Sequence, residues 1–229
     1  MKYRLSRPCV PSEYLGIVRR AIRKQKIEIP RATKQEVREL ARISKTIEKK
    51  GLPSHLVCKK LKGKLGRGIF LHPNAKPIMR GEVIASYAGD VTLIPQNRSD
   101  DSDYAFFLMA DIVLTKEEQR VVDQSSKYHP RRLYALDLDA IKRGNFTRFI
   151  NHSEKPNVEA HLLKIPRNSS GLAESPLEII YIAKRTIRPG EQVLVCYEDE
   201  EKGYWGVMQI VPFPMTAQTF RLDSSLNIY

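Results

Sequence analysis

The segment Arg148-Phe149-Ile150-Asn151-His152-Ser153-Glu154-Lys155-Pro156-Asn157 sets an Asn-His pair and a turn-forming Pro-Asn behind a short apolar run. Further along, Gly190-Glu191-Gln192-Val193-Leu194-Val195-Cys196-Tyr197 reads as a Gly-led strand that delivers a tyrosine at its end. A polar loop of Asn, His and Ser offers hydrogen bonds to a small polar ligand, and a tyrosine at a strand end offers a hydroxyl to a reacting group. Either segment alone reads equally well as an ordinary turn or an ordinary strand. Their combination narrows the reading.

Around these two segments the chain from Leu56 onward is a series of short β-rich stretches punctuated by Gly, Pro and Asn. Candidate strands are Glu82–Tyr87, Tyr104–Leu108, Leu133–Leu138, Val158–Leu163, Leu177–Ala183 and Val193–Tyr197. Thr115-Lys116-Glu117-Glu118 is a capping box and opens a short helix over Thr115–Gln124. Pro166–Pro176, with Asn168-Ser169-Ser170-Gly171, reads as a mobile hairpin loop. Upstream, Ser12 is placed to cap a helix whose Tyr14, Ile17, Val18, Ala21 and Ile22 share one face and whose end carries Arg23, Lys24 and Lys26. Pro30 breaks it. Thr33 and Glu36 then form a second capping box before Val37, Leu40, Ala41, Ser44 and Ile47, with Gly51 and Pro53 as the stop. Many short strands with few helices predict a β-rich α+β domain behind a helical N-terminal extension.

A chain of 229 residues holds one large domain, or one domain with a small appendage. Hydrophobic residues make up 41%, enough for a real core, and no apolar run approaches the ~20 residues of a membrane span. The stretch Met1–Pro8 lacks the apolar core of a secretory signal, so the reading is cytoplasmic. Export by a dedicated machine to a host cell and its nucleus would leave no trace in this argument. Cys9, Cys58 and Cys196 are far apart and form no Cys-x-x-Cys or Cys/His cluster, so no metal site is expected. Charge is uneven. Residues 1–64 hold 19 Lys/Arg against 5 Asp/Glu, a net of +14, whereas residues 65–229 hold 20 against 21.

The two opening segments resemble the SET-domain protein lysine methyltransferases, which carry an Arg-Phe-x-Asn-His-Ser…Pro-Asn loop and a later Gly-Glu-x-x-x-x-x-Tyr strand threaded together in a knot-like core. Other marks of that family follow in order. Gly66-Arg67-Gly68 resembles its opening Gly-x-Gly, and Tyr87-Ala88-Gly89-Asp90 its Tyr-x-Gly-acid strand end. Tyr104-Ala105-Phe106 resembles its Tyr-x-Phe strand, and Asp139-Ala140 with Gly144-Asn145 the run-up to the Asn-His loop. A Gly-Arg-Gly turn alone is weak; five ordered motifs over roughly residues 60–205 are strong. Small size and the lack of zinc-binding flanks look most like the short SET proteins of chlamydial-type bacteria, some of them effectors. The implied division is a basic helical extension over 1–55, a SET catalytic domain over 56–205 and a tail over 206–229.

The implied reaction is displacement of a methyl group from the sulfonium of S-adenosylmethionine by a neutral lysine amine. Deprotonating a lysine near pH 7.5 costs about 4 kcal/mol, and an apolar channel beside a positive sulfonium lowers that cost. Such a site needs aromatic walls and hydroxyls that orient the amine; it needs no strong base. By the resemblance, Tyr197 takes the catalytic role and Tyr87 and Phe106 line the lysine channel. Gly66, Arg67, Gly68, Tyr104, Arg148, Phe149, Asn151 and His152 contact the cofactor, His152 largely through backbone. Trp205 lies where relatives often stack an aromatic on adenine, and reads equally well as core. His55, His72, His129 and His161 sit in no constellation.

Two positions depart from the family pattern. Cys196 stands where Asp is frequent, and Val195 where an aromatic helps set how many methyl groups fit. Valine argues for more than monomethylation, unless neighbouring aromatics refill the gap. Glu198, Asp199, Glu200 and Glu201, with Asp100, Asp101 and Asp103, form either a solvated charge run or an acidic mouth that attracts a Lys/Arg-rich peptide. The basic helices suit nucleic acid or an acidic partner, or only pack. Together these features imply a lysine-rich substrate such as a histone or histone-like protein. Tyr204, Phe213, Phe220 and Tyr229 are expected to close the channel in place of a zinc-bound segment, on this chain or across a homodimer. Two rivals remain open: a catalytically silent SET-like module that binds basic peptides or chromatin, and a nucleic-acid-binding protein working through residues 1–64.

Overall fold

The computed structural model describes residues 4–24, 28–62, 66–96, 102, 104–123, 127–165 and 176–197. The β-rich expectation holds. Ten strands form three sheets among these residues: β1 (Leu56–Lys60) with β2 (Arg67–Leu71); a three-stranded sheet ordered β4 (Asp90–Pro95), β6 (Leu133–Asp139), β5 (Ala105–Val113); and a five-stranded sheet ordered β3 (Val83–Ser86), β9 (Leu177–Ala183), β8 (Val158–Lys164), β10 (Leu194–Val195), β7 (Asn151–His152). The helices are α1 (Leu15–Lys24), α2 (Lys34–Lys50) and α3 (Lys116–Val122).

Both capping boxes form. The Thr33 hydroxyl accepts from the Glu36 N–H at 3.2 Å, while the Glu36 carboxylate accepts from the Thr33 N–H at 2.6 Å. Thr115 and Glu118 repeat the exchange ahead of α3. Gly51 ends α2 at φ 80°, a conformation that suits glycine. The first helix begins differently from the sequence reading. Ser12 opens a 3₁₀ turn over Ser12–Tyr14 with Pro11 in the cap position, and its hydroxyl donates to Glu13 at 3.1 Å. The carbonyl of Pro11 accepts from the Tyr14 N–H at 2.9 Å, so proline starts the turn without a side-chain cap.

Four strands escaped the sequence reading, each for a local reason. Strand β4 buries Val91, Leu93 and Pro95 on alternate positions, but it begins with Asp and ends with Pro, which read as breakers. It lies at a sheet edge, where a missing N–H is tolerated. Strands β1 and β2 form a hairpin whose first strand leaves Cys58, Lys59 and Lys60 exposed. Strand β7 is two residues long. Strand β5 in turn runs five residues past Leu108 by two register shifts, with Asp111 at φ 55°.

The N-terminal segment is laced into the β-structure. Cys9 donates to the Gly89 carbonyl at 2.8 Å and accepts from the Val91 N–H at 2.9 Å, while Leu5 donates to Gly144 at 3.1 Å. Arg7 pairs with Glu178, which is fully buried in β9. Ile17, Val18, Ala21, Leu40, Ile43 and Ile47 share one apolar cluster with Leu71, Ile84, Leu136 and Ile179. The amphipathic stripes are therefore packing surfaces.

The five-stranded sheet contains a threaded crossing. Strand β10 lies between β7 and β8 and is parallel to both. The five residues 153–157 that join β7 to β8 must therefore pass over β10. Two strand spacings are about 10 Å, well within the reach of a five-residue link. Asn157 closes the crossing. Its amide donates to the Gln192 carbonyl at 2.8 Å and its carbonyl accepts from the Leu194 N–H at 2.8 Å. Its backbone N–H donates to Leu194 at 3.1 Å. The residue is 1% exposed. Asn157→Ala leaves the half-buried Gln192 carbonyl and Leu194 N–H without this partner, at up to about 1–3 kcal/mol each. Denaturant titration should show a large fall in the unfolding midpoint; a wild-type midpoint would show that the crossing holds without this side chain.

Candidate active site

The crossing fixes where both opening segments place their side chains. Because β10 runs beside β7, with Leu194 opposite Asn151 and Val195 opposite His152, the strand end brings Tyr197 against the Asn-His pair. The Tyr197 N–H donates to His152 Nδ1 at 3.0 Å, and the two rings stand 5.5 Å apart. Accepting at Nδ1 leaves the proton on Nε2, so His152 positions the tyrosine and is not poised to take a proton there. The Tyr197 hydroxyl donates to the Ile150 carbonyl at 2.5 Å.

A second group of rings assembles at the end of β3. Gly89 and Gly144 make this possible by close backbone contact. A Cβ on Gly89 would sit 2.4 Å from the Asp139 carbonyl oxygen, and one on Gly144 2.7 Å from that of Ala88. Asn145, fully buried, donates to the Ser86 carbonyl at 2.9 Å, and its own carbonyl accepts from the Thr147 N–H at 2.9 Å. The motif residues Gly89, Gly144 and Asn145 are thus the frame, locking the strand end to the 3₁₀ turn Phe146–Phe149 that leads into β7. Held by this frame, Tyr87 donates its hydroxyl to the Tyr104 carbonyl at 2.8 Å. Its ring meets Phe106 edge-on at 4.5 Å and Tyr181 at 6.1 Å.

Tyr181 is the member that sequence reasoning missed. It lies opposite Ala85 in the β3–β9 register, and its ring is 6.5 Å from Phe106. The available signal was one aromatic at the centre of the otherwise aliphatic core of β9, Ile179-Ile180-Tyr181-Ile182. Burial raises the hydroxyl pKa values of Tyr87, Tyr181 and Tyr197 above the ordinary tyrosine value. Tyr197 pushes Tyr87 and Tyr181 further the same way, and Tyr104 does so for Tyr197. All three hydroxyls stay neutral at physiological pH. They are hydrogen-bonding groups and not bases.

The residues expected at the cofactor gather beside this aromatic group. The Asn151 amide donates to the Arg67 carbonyl at 3.0 Å, tying β7 to the head of β2. Gly66 has φ 65°, with nothing within 4 Å of where its Cβ would be. At Gly68 a Cβ would lie 2.7 Å from the Gln192 amide nitrogen, so the turn packs directly on the Gly-led strand. Arg148 donates to the Ala140 carbonyl at 2.6 Å, and its guanidinium lies 4.0 Å from the Tyr104 ring centre and 5.5 Å from that of Phe149. The Arg67 guanidinium is 5.8 Å from Phe149. Arg148 therefore braces the wall by stacking and carbonyl contacts. Val195 is 2% exposed within β10, between His152 and Val158. Trp205, Tyr204, the tail from 206 and the acidic residues Asp100, Asp101, Asp103 and Glu198–Glu201 lie outside the described residues.

The chain is similar to known proteins. The chain is 27% identical to the N-lysine methyltransferase KMT5A-A of Xenopus laevis over 188 residues, covering 81% of this chain and 46% of that protein. It is 28% identical to the histone-lysine N-methyltransferase SUV39H1 of the same organism over 127 residues, covering 52% of this chain and 27% of the relative. The chain thus spans about half the length of the first relative or less of the second. Among solved structures, the ATXR5 SET domain in complex with histone H3 di-methylated on R26 superposes with TM-score 0.59 at 19% identity, covering 89% of this chain and 84% of that one. That likeness is one of fold. The SET domain family itself matches residues 66–198, from the head of β2 to the residue after Tyr197. With more than half of its length matched and the threaded core in place, the chain belongs to the SET domain family.

Proposed function

We propose that the chain is an S-adenosylmethionine-dependent protein lysine N-methyltransferase acting on basic proteins such as histones or histone-like proteins. The observation that carries this reading is the pairing, across one strand crossing, of the half-buried Tyr197 hydroxyl with the Asn151–Arg67 contact. The activities named for the two similar methyltransferases support it. The histone H3 in the ATXR5 complex supports the substrate class.

The residues suit the cofactor. The open side of Gly66 admits a ligand against backbone, and Gly68 permits the close packing behind it. The Arg67 side chain and the free lone pairs of nearby carbonyls match a carboxylate and an ammonium, while the rings of Phe149 and Tyr104 offer flat faces. When bound, S-adenosylmethionine supplies an electrophilic methyl group on a sulfonium.

The remaining work belongs to the chain. Tyr87, Phe106 and Tyr181 form an apolar, aromatic surround in which a lysine ammonium loses hydration and gives up its proton more readily. Tyr197 and Tyr87 each spend their proton on a backbone carbonyl, leaving hydroxyl lone pairs free to accept from an approaching amine. Neutral hydroxyls held this way orient the nucleophile without competing for the methyl group. Val195 leaves room that a larger aromatic would fill, which favours more than one methyl group. We extend the proposal to the outer parts: residues 56–205 as catalytic body, 1–55 as extension, Trp205 beside the adenine, and the 206–229 tail as outer channel wall on this chain or a dimer partner. The scarcity of cysteines supports kinship with the short bacterial SET proteins. Among the described residues no helix is long and apolar enough to cross a membrane.

Tyr197→Phe should cut single-turnover methyl transfer by orders of magnitude while calorimetric cofactor affinity stays within a few-fold; comparable turnover would remove the catalytic assignment. Asn151→Ala should weaken cofactor binding by about 1–3 kcal/mol, and unchanged affinity in a folded variant would count against the cofactor wall. The tyrosines give a pH signature. In the unfolded chain their pKa returns to about 10, so protonated Tyr87, Tyr181 and Tyr197 stabilise the fold fully below that pH and destabilise it progressively above. Tyrosinate absorbance should show these three of the ten tyrosines ionising only with alkaline unfolding; ten tyrosines titrating before unfolding would contradict their burial.

A further inference from the structure

Helix α2 carries a feature that its packing does not use. At 100° per residue, Lys34, Arg38, Arg42, Lys45 and Lys49 fall within an arc of about 80°. All five are exposed. The buried residues Leu40, Ile43, Ser44 and Ile47 occupy the opposite side. The row extends over about 22 Å at 1.5 Å per residue. Acidic residues of the same helix are kept out of it by structural bonds. Glu36 closes the capping box, Glu39 accepts from the Val83 N–H at 3.3 Å, and Glu48 accepts from the Ser6 hydroxyl at 2.6 Å. Among the described residues none of the five cations forms an ion pair.

We propose that this row binds the phosphate backbone of double-stranded DNA. A row of Lys and Arg without base-reading geometry suits phosphates, which recur along the duplex and are contacted irrespective of sequence. A protein partner fits less well. Protein interfaces concentrate aromatic residues and exclude lysine from their centres, and among the described residues the exposed large apolar ones, Met79, Val113, Val121, Tyr128, Leu133 and Ile141, all lie outside α2. Gln35 and Thr46 flank the row and supply further polar groups.

The placement matters for the function proposed above, on which only this consequence rests. Helix α2 docks on β3 through Glu39, whereas Asn151 and His152 are in β7 at the far edge of the same sheet. Four strand spacings separate the edges, about 19 Å. DNA on the row would hold the chain beside a DNA-bound basic protein while leaving the cofactor wall clear.

The test is anisotropy of a labelled random-sequence DNA duplex titrated with the full chain over a range of salt, with no cofactor present. The wild-type chain should give a slope of log affinity against log salt of about −4. R38Q/R42Q/K45Q/K49Q should reduce that slope by about one per cation removed and weaken all sequences alike. K59Q/K60Q/K62Q, which removes exposed lysines from and just beyond β1, should change it far less. Equal losses in both variants would reduce the effect to net charge and overturn the site. Absence of duplex binding, with retention of polyglutamate through the same four residues, would overturn it in favour of an acidic protein. Because the four side chains are exposed, the unfolding midpoint should match wild type. Methyl transfer to a free peptide should also persist in the α2 variant, and Tyr197→Phe should bind the duplex normally. A chain that bound DNA but transferred no methyl group would sink the proposed function and leave this inference standing.

Discussion

The hydrogen bonds of Asn157 to Gln192 and Leu194 are the constraint on which the site depends. They hold the five-residue link 153–157 across β10, and only with β10 in that slot does Tyr197 reach His152 and Ile150. The interaction is stringent because both groups of one amide are used inside a dry interior, where any replacement strands backbone partners. An asparagine amide carries its donor and its acceptor on one short planar group, and glutamine, with the same groups, is one methylene longer. A loop and a strand distant in sequence thereby become one structural unit, and the tyrosine is positioned by backbone geometry before any ligand contact.

Around that unit the rings of Tyr87 and Tyr181 are buried, 2% and 1% exposed. Tyr87, Phe106 and Tyr181 pack edge to face, and burial keeps the tyrosine hydroxyls protonated. The same low polarity that raises a tyrosine pKa lowers that of a lysine, because both effects disfavour the charged form. Under the activity proposed, one environment keeps the tyrosine hydroxyls neutral and favours a neutral lysine amine. The close backbone contacts at Gly89 and Gly144 hold the end of β3 against the segment that leads into β7.

The N-terminal segment serves two purposes that its charge alone would not distinguish. Its apolar faces complete the core, and the Arg7–Glu178 pair and the Cys9 bridge stitch it to the strands. Arg7 remains a cation in that position, with burial lowering its pKa to about 10 against the attraction of Glu48. Once the acidic residues of α2 are committed to structural bonds, the arc that holds Lys34, Arg38, Arg42, Lys45 and Lys49 is left basic.

Local signals were legible in the sequence wherever the physics was local. The capping boxes at Thr33 and Thr115, the stop at Gly51 and the aliphatic run of β9 read correctly because each depends on residues a few positions apart. Ordered motifs around Asn151, His152 and Tyr197 identified the family, and with it the fold. The strands β1, β2, β4 and β7 did not read, since β7 is a strand only through its pairing with β10, and β4 hides between an Asp and a Pro. Tyr181 went unassigned within its strand because nothing nearby in sequence says which rings it will meet. The sequence by itself determined the family, the β-rich class with its capped helices, and the concentration of basic residues before residue 65. Tertiary structure decided that Asn157 clamps a crossing, that Arg148 stacks on Tyr104 and that the rings of Tyr87, Phe106 and Tyr181 meet, because these outcomes depend on contacts between strands far apart along the chain.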